Sequence, residues 1–211
     1  MYDYIIVTHI PAFYKVNLYN ELAKKLKILV IFIASNTNEK RADDFVTLEK
    51  ATFEYQVLFD GNFQDRNVVK NIWKLREIFK NIAFKKLLLS GWDLKEFWYL
   101  VMTNSKLKSC LALESTINES RSDGIRGFIK KIFLSRISTV YASGKLHVAL
   151  LNNLIFMPQQ NGGKSRKKGV VKANSLIPIF KSGLTFINEI FKQANHELGY
   201  EFVQTKIKTL S

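Results

Sequence analysis

Short apolar runs alternate with stretches of helical periodicity along the first 150 residues, and this alternation constrains the fold more than any other feature. An uncharged run such as 28–33 is typical of a parallel strand that helices cover on both faces. Between such runs, apolar residues recur at spacings of three and four, which predicts amphipathic helices. The pattern therefore predicts an α/β fold with a Rossmann-like, mostly parallel sheet and helices on both faces.

The apolar runs and the helical periodicity also give approximate bounds for each strand and helix. Pro11 blocks extension of the first strand and opens the way to a helix. The predicted strands lie at about 3–9, 28–33, 53–59, 87–89, 109–113 and 138–142, and the predicted helices at about 12–26, 65–84, 93–103 and 125–134.

The composition changes after about Leu151. A loop at 158–163 is followed by the basic run 164–168, and residues 151–211 contain nine Lys or Arg against three Asp or Glu. One further helix is predicted at 187–198, without a renewed strand and helix rhythm. We expect a domain over 1–150 and a basic tail over 151–211 that is partly helical or disordered.

Charge limits the classes of partner. The formal net charge of +14 attracts polyanions, which include nucleic acids, anionic lipids and phosphorylated substrates. No helix-turn-helix, RNA-recognition or zinc-finger signature accompanies the charge, so no specific nucleic-acid partner is predicted. Cys110 lies in an apolar run, as expected for a small core residue. The single cysteine and the three histidines lack metal-ligand spacing, so no metal site is predicted.

Membrane contact has two interpretations. No apolar run reaches the roughly 18 residues of a membrane span, and the start of the chain lacks signal-peptide features, which predicts a cytoplasmic protein. Segments 66–86 and 124–136 are nevertheless both basic and apolar. Each is either a helix that packs on the sheet with a solvated basic face or an interfacial helix on an anionic membrane. Membrane contact through 124–136 would place the protein on the inner face of the cytoplasmic membrane.

Loops after the strands should converge on one crevice, because ligands of open parallel sheets bind outside the carboxyl ends of the strands. The chain contains no Gly-x-Gly-x-x-Gly after its first strand and no Gly-x-x-x-x-Gly-Lys motif, which disfavours dinucleotide and P-loop sites. It also lacks the Gly-x-Ser-x-Gly elbow of serine hydrolases. The predicted crevice therefore fits a ligand or reaction outside these three classes of site.

Five residues in these loops are candidates for ligand contact. His9 either orients or deprotonates a substrate hydroxyl or only hydrogen-bonds its loop. In Ser90-Gly91-Trp92, the glycine allows close backbone approach, and the indole either stacks on a sugar ring or covers the core. Glu114 follows an apolar strand, where a carboxylate needs a partner, a ligand hydroxyl or loop amides.

One further loop could contact phosphate. Ser143 and Gly144 precede a predicted helical segment that carries His147, and free amides at a helix start can bind an anion.

The arrangement resembles the N-terminal domain of GT-B glycosyltransferases, particularly bacterial enzymes of glycosyltransferase family 4. The resemblance covers residues 1 to about 150. It rests on five segments that are not diagnostic singly: Tyr4-Ile5-Ile6-Val7 with His9-Ile10-Pro11, Leu18-Tyr19-Asn20-Glu21-Leu22, Leu89-Ser90-Gly91-Trp92, Glu114-Ser115-Thr116 and Val140-Tyr141-Ala142-Ser143-Gly144.

This resemblance implies transfer of a sugar from a nucleotide-sugar to a glycan or lipid-linked acceptor, in surface polysaccharide or lipopolysaccharide synthesis. It implies that the nucleotide-sugar is a co-substrate and that neither a metal nor another cofactor is needed. Gly91, Trp92, Glu114 and Ser115 would line the cleft, and His9 would lie near the donor phosphates or the acceptor. The resemblance assigns no catalytic base.

The chain departs from the family where a donor-binding domain would follow. Three explanations are open: a truncated product without activity, a split transferase whose partner chain supplies the donor half, or a short binding protein. The loss of the strand and helix pattern after Leu151 favours truncation. Whether the chain alone is an enzyme is therefore left open. A basic nucleic-acid-binding protein is the alternative from another functional class.

Overall fold

The computed structural model describes residues 1–39, 46, 48–114, 124–142 and 144–156. These residues form an α/β domain in which five α-helices pack on a six-stranded, all-parallel sheet. The Rossmann-like fold predicted from the sequence is confirmed. The predictions for the tail from residue 157 onward, including the helix at 187–198, concern residues outside the described ranges.

The sheet order follows from the strand pairings. The strands are β1 Tyr2–Thr8, β2 Ile28–Phe32, β3 Glu54–Val57, β4 Phe84–Leu89, β5 Ser109–Leu113 and β6 Thr139–Ala142. The helices are α1 Phe13–Ala23, α2 Val68–Asn81, α3 Lys95–Thr103, α4 Gly124–Ser135 and α5 Lys145–Phe156, with a short 3-10 helix at Phe63–Asp65. The spatial order is β3-β2-β1-β4-β5-β6.

Two apolar clusters hold the helices on opposite faces of the sheet. On one face, α1 contributes Val16, Tyr19 and Leu22 to a cluster with the buried β2 residues Val30 and Phe32. On the other face, the second cluster takes its helical members from α2, α3, α4 and α5: Leu75, Phe97, Leu100, Val101, Phe133, Leu150, Leu151 and Leu154. Each fully buried side chain of this size stabilises the fold by about 1.5–3 kcal/mol.

The bounds of most elements differ from the sequence prediction by one to three residues, and the boundary between α2 and β4 shows why. Ile82 has extended backbone and ends α2, whereas helical periodicity predicted a helix to residue 84. Phe84 instead begins β4, three residues before the predicted start, and pairs with Tyr2 of β1. At the start of α2, the Asn67 side chain accepts a hydrogen bond of 3.0 Å from the amide of Lys70 and caps the helix.

Helix α5 continues across residue 150. Leu151 and Leu154 are buried in the core cluster that also contains Leu150. The described domain thus includes the first residues of the segment that the sequence assigned to the tail.

Candidate functional site

The strand order reverses between β1 and β4, and we call the carboxyl edge of the sheet at this point the crevice. From β1 the chain passes through α1 to β2 on one side, and from β4 it passes through α3 to β5 on the other. Ligands of such sheets bind outside the carboxyl ends of the strands at this reversal. Val7 pairs with Leu89, so the loops that begin at His9 and Ser90 lie side by side at this edge.

His9 is held by two side chains of the loop that follows β4. Its Nε2 lies 2.9 Å from Asp93 Oδ2, and its Nδ1 lies 3.4 Å from Ser90 Oγ. The rings of Phe63 and Phe97 flank the imidazole, with centroids 5.6 Å and 5.3 Å away. Both ring nitrogens are therefore engaged within the protein.

Asp93 is the member of this group that faces solvent. Its side chain is 57% exposed, against 25% for His9. Partial burial by itself raises the pKa of Asp93, but the hydrogen bond and charge of His9, its own amide and Lys15 together outweigh burial and lower that pKa. Asp93 is thus an ionised, oriented carboxylate at the mouth of the crevice.

Gly91 makes room for that carboxylate. A Cβ atom at Gly91 would lie 2.5 Å from Asp93 Oδ1 and 3.5 Å from the ring of Phe97. Only glycine leaves space for Asp93 to bend back towards His9. Close approach of a ligand to the Gly91 backbone stays a prediction.

An ion pair between a carboxylate and a buried cation lies at the same edge. Lys15 of α1 is buried, and its Nζ lies 2.8 Å from Glu114 Oε1 and donates to Thr8 Oγ1 at 3.0 Å. Burial lowers the pKa of Lys15, but the Glu114 carboxylate and the nearby tyrosine hydroxyls outweigh it, so the pKa of Lys15 is above its usual value. Glu114, which follows β5, has the partner that its position required and remains half-exposed.

The outer wall beside His9 is made by Phe63, Arg66 and Glu96. The Arg66 guanidinium lies 3.7 Å from the centroid of the Phe63 ring, and its Nη1 donates to the Phe63 carbonyl at 2.8 Å. Its Nε donates to Glu96 Oε1 at 2.9 Å. Glu96 is fully buried, and its Oε2 has no hydrogen-bond partner. This ion pair fixes the aromatic wall to the start of α3.

Other predicted residues lie further from this group or outside the described chain. Trp92 is buried in the core, in agreement with the alternative that its indole covers the core, and Lys130 lies 5.4 Å from its ring centroid. Gly144 precedes α5, whose His147 Nε2 lies 3.3 Å from the Glu114 carbonyl oxygen. Ser115 and Ser143 lie outside the described residues.

Five residues that shape the site were not among the candidates predicted from the sequence: Lys15, Phe63, Arg66, Asp93 and Glu96. Two of these five residues could have been found from the sequence. Asp93 ends the loop in which Gly91 was recognised, and Lys15 precedes Tyr19 by four residues on the buried face of α1. Arg66 and Glu96 lie 30 residues apart, and no local pattern joins them.

Three comparisons concern the whole chain. No known protein family, no curated protein and no solved structure matches it. Within the described ranges, no cluster of three or more His, Cys, Asp or Glu side chains could hold a metal ion. In the same part of the chain, none of the helices combines the length and apolarity needed to cross a bilayer.

Proposed function

We propose that this domain is the acceptor-side half of a sugar transferase, and that it holds the hydroxyl groups of a glycan or lipid-linked acceptor. The supporting observation is the Asp93 carboxylate, which His9 orients at 2.9 Å at the switch point of the sheet and which faces solvent. The resemblance of the sequence to GT-B glycosyltransferases supports the same function. The transfer would belong to surface polysaccharide or lipopolysaccharide synthesis.

The charges at the crevice favour hydroxyl groups over phosphates. Carboxylates accept hydrogen bonds from hydroxyl groups but repel a diphosphate, and both Asp93 and Glu114 are solvent-accessible at this edge. The first strand is also followed by His9-Ile10-Pro11 instead of a glycine-rich phosphate loop. The domain is therefore better suited to the acceptor than to the nucleotide-sugar.

Asp93 would orient the attacking hydroxyl and take its proton. In this step the hydroxyl oxygen forms a bond to the anomeric carbon of the donor, the bond from that carbon to the phosphate oxygen breaks, and the nucleoside diphosphate leaves. The proton passes to Asp93. His9 would act as a positioning residue, since both of its nitrogens are engaged.

The donor would be held by a second domain, in the same polypeptide or in a partner chain. Without that domain, the same site would serve a binding subunit that presents the acceptor. We propose a cytoplasmic location for the transfer, at the inner face of the membrane from which a lipid-linked acceptor is reached.

Saturation-transfer NMR tests acceptor binding by the full chain. The probes are free N-acetylglucosamine, its 1-phosphate as a mimic of a lipid-linked head group, and a set of free disaccharides. We expect transfer from the protein to at least one of these sugars, and we expect Asp93→Asn to weaken binding by about tenfold, the loss of one charge-assisted hydrogen bond.

Glu77→Gln provides a matched control for that substitution. Glu77 is also 57% exposed, and its Oε1 accepts from Lys80 Nζ at 2.8 Å, but it belongs to α2, away from the crevice. Sugar binding that survives Asp93→Asn, or that is lost equally in both variants, would contradict the assignment. Absence of binding by any sugar probe would contradict the acceptor function itself.

A further inference from the structure

Helix α4 presents apolar side chains to solvent. Ile125, Phe128, Ile129 and Ile132 are 80%, 55%, 45% and 38% exposed, and their spacing places them along one side of the helix. We call these four residues the α4 stripe. The sheet-facing side of α4 is formed by the buried Gly127 and Phe133.

This outward stripe distinguishes α4 from its neighbour in the same layer. In α3 the large apolar residues Phe97, Leu100 and Val101 are buried, and Met102 is the exposed large hydrophobic residue of that helix. Helix α4 has two apolar sides, of which the sheet covers one. Exposed apolar area on a basic helix is typical of a binding surface.

The charges beside the α4 stripe are positive. Arg126 and Lys131 flank the stripe on α4, and the sequence from 124 to 136 contains no Asp or Glu. Two further cations face the protein: Lys130 lies against the Trp92 ring, and Arg136 Nη2 donates to the carbonyl oxygens of Met102 and Asn104. Burial, followed by the charge of Arg126, lowers the pKa of Lys130. The positive charges of Arg126 and Lys131 beside the stripe would attract a surface of negative charge.

We infer that α4 docks on an anionic lipid bilayer, with the helix parallel to the surface and the α4 stripe at the boundary between headgroups and acyl chains. Aliphatic and Phe side chains flanked by Lys and Arg fit this environment, because apolar burial and headgroup attraction act together. The net charge of +14 adds a long-range attraction to the same surface.

Docking through α4 would bring the crevice towards the membrane. The chain leaves β5 beside Glu114 and returns through α4 to the start of β6, so α4 begins at the edge of the sheet that contains the site. Lys130 of α4 also lies against Trp92, next to Asp93. This consequence rests on the proposed function, whereas the docking itself does not.

Vesicle sedimentation of the full chain tests the inference. Vesicles of phosphatidylcholine alone are compared with vesicles of equal parts phosphatidylcholine and phosphatidylglycerol. We expect the protein to sediment with the anionic vesicles and to be released as salt is raised. Phe128→Ser should weaken this binding by at least about tenfold, and Arg126→Gln should weaken it more at low salt than at high salt.

Trp73→Ser provides the matched control, because Trp73 is a 57% exposed aromatic residue on α2, which is also basic. It should leave vesicle binding unchanged. Circular dichroism of each variant checks that the fold is retained, and Asp93→Asn should bind vesicles like the wild type, which separates this inference from the acceptor proposal.

Three results would overturn the inference. One is the absence of sedimentation with anionic vesicles. The second is sedimentation that Phe128→Ser leaves intact or that Trp73→Ser reduces equally. The third is a Phe128-dependent dimer in analytical ultracentrifugation without vesicle binding, which would assign the α4 stripe to a second copy of the chain.

Discussion

Arg66→Met should destabilise the domain strongly, because it leaves a buried carboxylate without a partner. Glu96 is 0% exposed, its Oε1 accepts from Arg66 Nε, and its Oε2 has no hydrogen-bond partner. Methionine keeps much of the length and apolar stem of the arginine side chain. The substitution therefore tests the charge and the hydrogen bonds more than the packing.

The magnitude follows from burial. Removal of one partner from a buried ion pair costs about 3–5 kcal/mol, since the remaining charge can be neither hydrated nor paired. The lost hydrogen bond to the Phe63 carbonyl and the lost contact with the Phe63 ring act in the same direction. We expect a decrease in the free energy of unfolding of about 3–5 kcal/mol.

Urea denaturation followed by circular dichroism measures this change. With a slope of about 2 kcal/mol per molar urea, the midpoint should fall by roughly 1.5–2.5 M. The double variant Arg66→Met with Glu96→Leu replaces the pair by apolar groups and should lie within about 1 kcal/mol of the wild type. Recovery in the double variant would show that the stranded charge causes the loss.

Lys15→Met is the matched comparison. It also removes a cation from an ion pair, but the carboxylate left behind, Glu114, is half-exposed and can be hydrated. We expect a smaller loss than for Arg66→Met, of about 1–3 kcal/mol, because Glu114 can be hydrated and only the buried Thr8 hydroxyl loses a donor. A loss below about 1 kcal/mol for Arg66→Met, or a double variant as unstable as the single one, would refute the reasoning from burial.

Two further predictions concern Gly91 and Tyr19. Gly91→Ala should push the Asp93 carboxylate away from His9 and so raise the pKa of Asp93, which carbon-13 NMR titration measures. Gly144→Ala is the control and should leave that pKa unchanged, because its Cβ would lie at an ordinary 3.5 Å from His147. An unchanged Asp93 titration in Gly91→Ala would contradict this. Burial raises the pKa of Tyr19 from 10.0 to about 12, so its contribution to stability is complete below pH 10 and is lost as pH rises towards 12. The difference between the ultraviolet titrations of the wild type and Tyr19→Phe isolates Tyr19 from the other tyrosines and should rise towards pH 12; a difference centred near pH 10 would exclude this late ionisation.

Element types were readable from the sequence where local pattern and tertiary environment agree. The apolar run of β5 was predicted with the bounds that the structure shows, Ser109–Leu113. At the start of β4, the periodicity of α2 continued through Ile82 into Phe84, and Lys85 and Lys86 looked like a helix surface. Pairing of Phe84 with Tyr2 decides this boundary, and that contact is non-local.

The sequence alone determined that strands and helices alternate and that polar loops follow the strands, because periodicity and turn residues are local properties. His9, Gly91 and Glu114 could therefore be placed at one edge in advance. Only the tertiary structure decided the partners: Asp93 for His9 across 84 residues, Lys15 for Glu114, and Glu96 for Arg66. Strand order sets these distances, and strand order depends on packing across the whole sheet, which no short segment encodes.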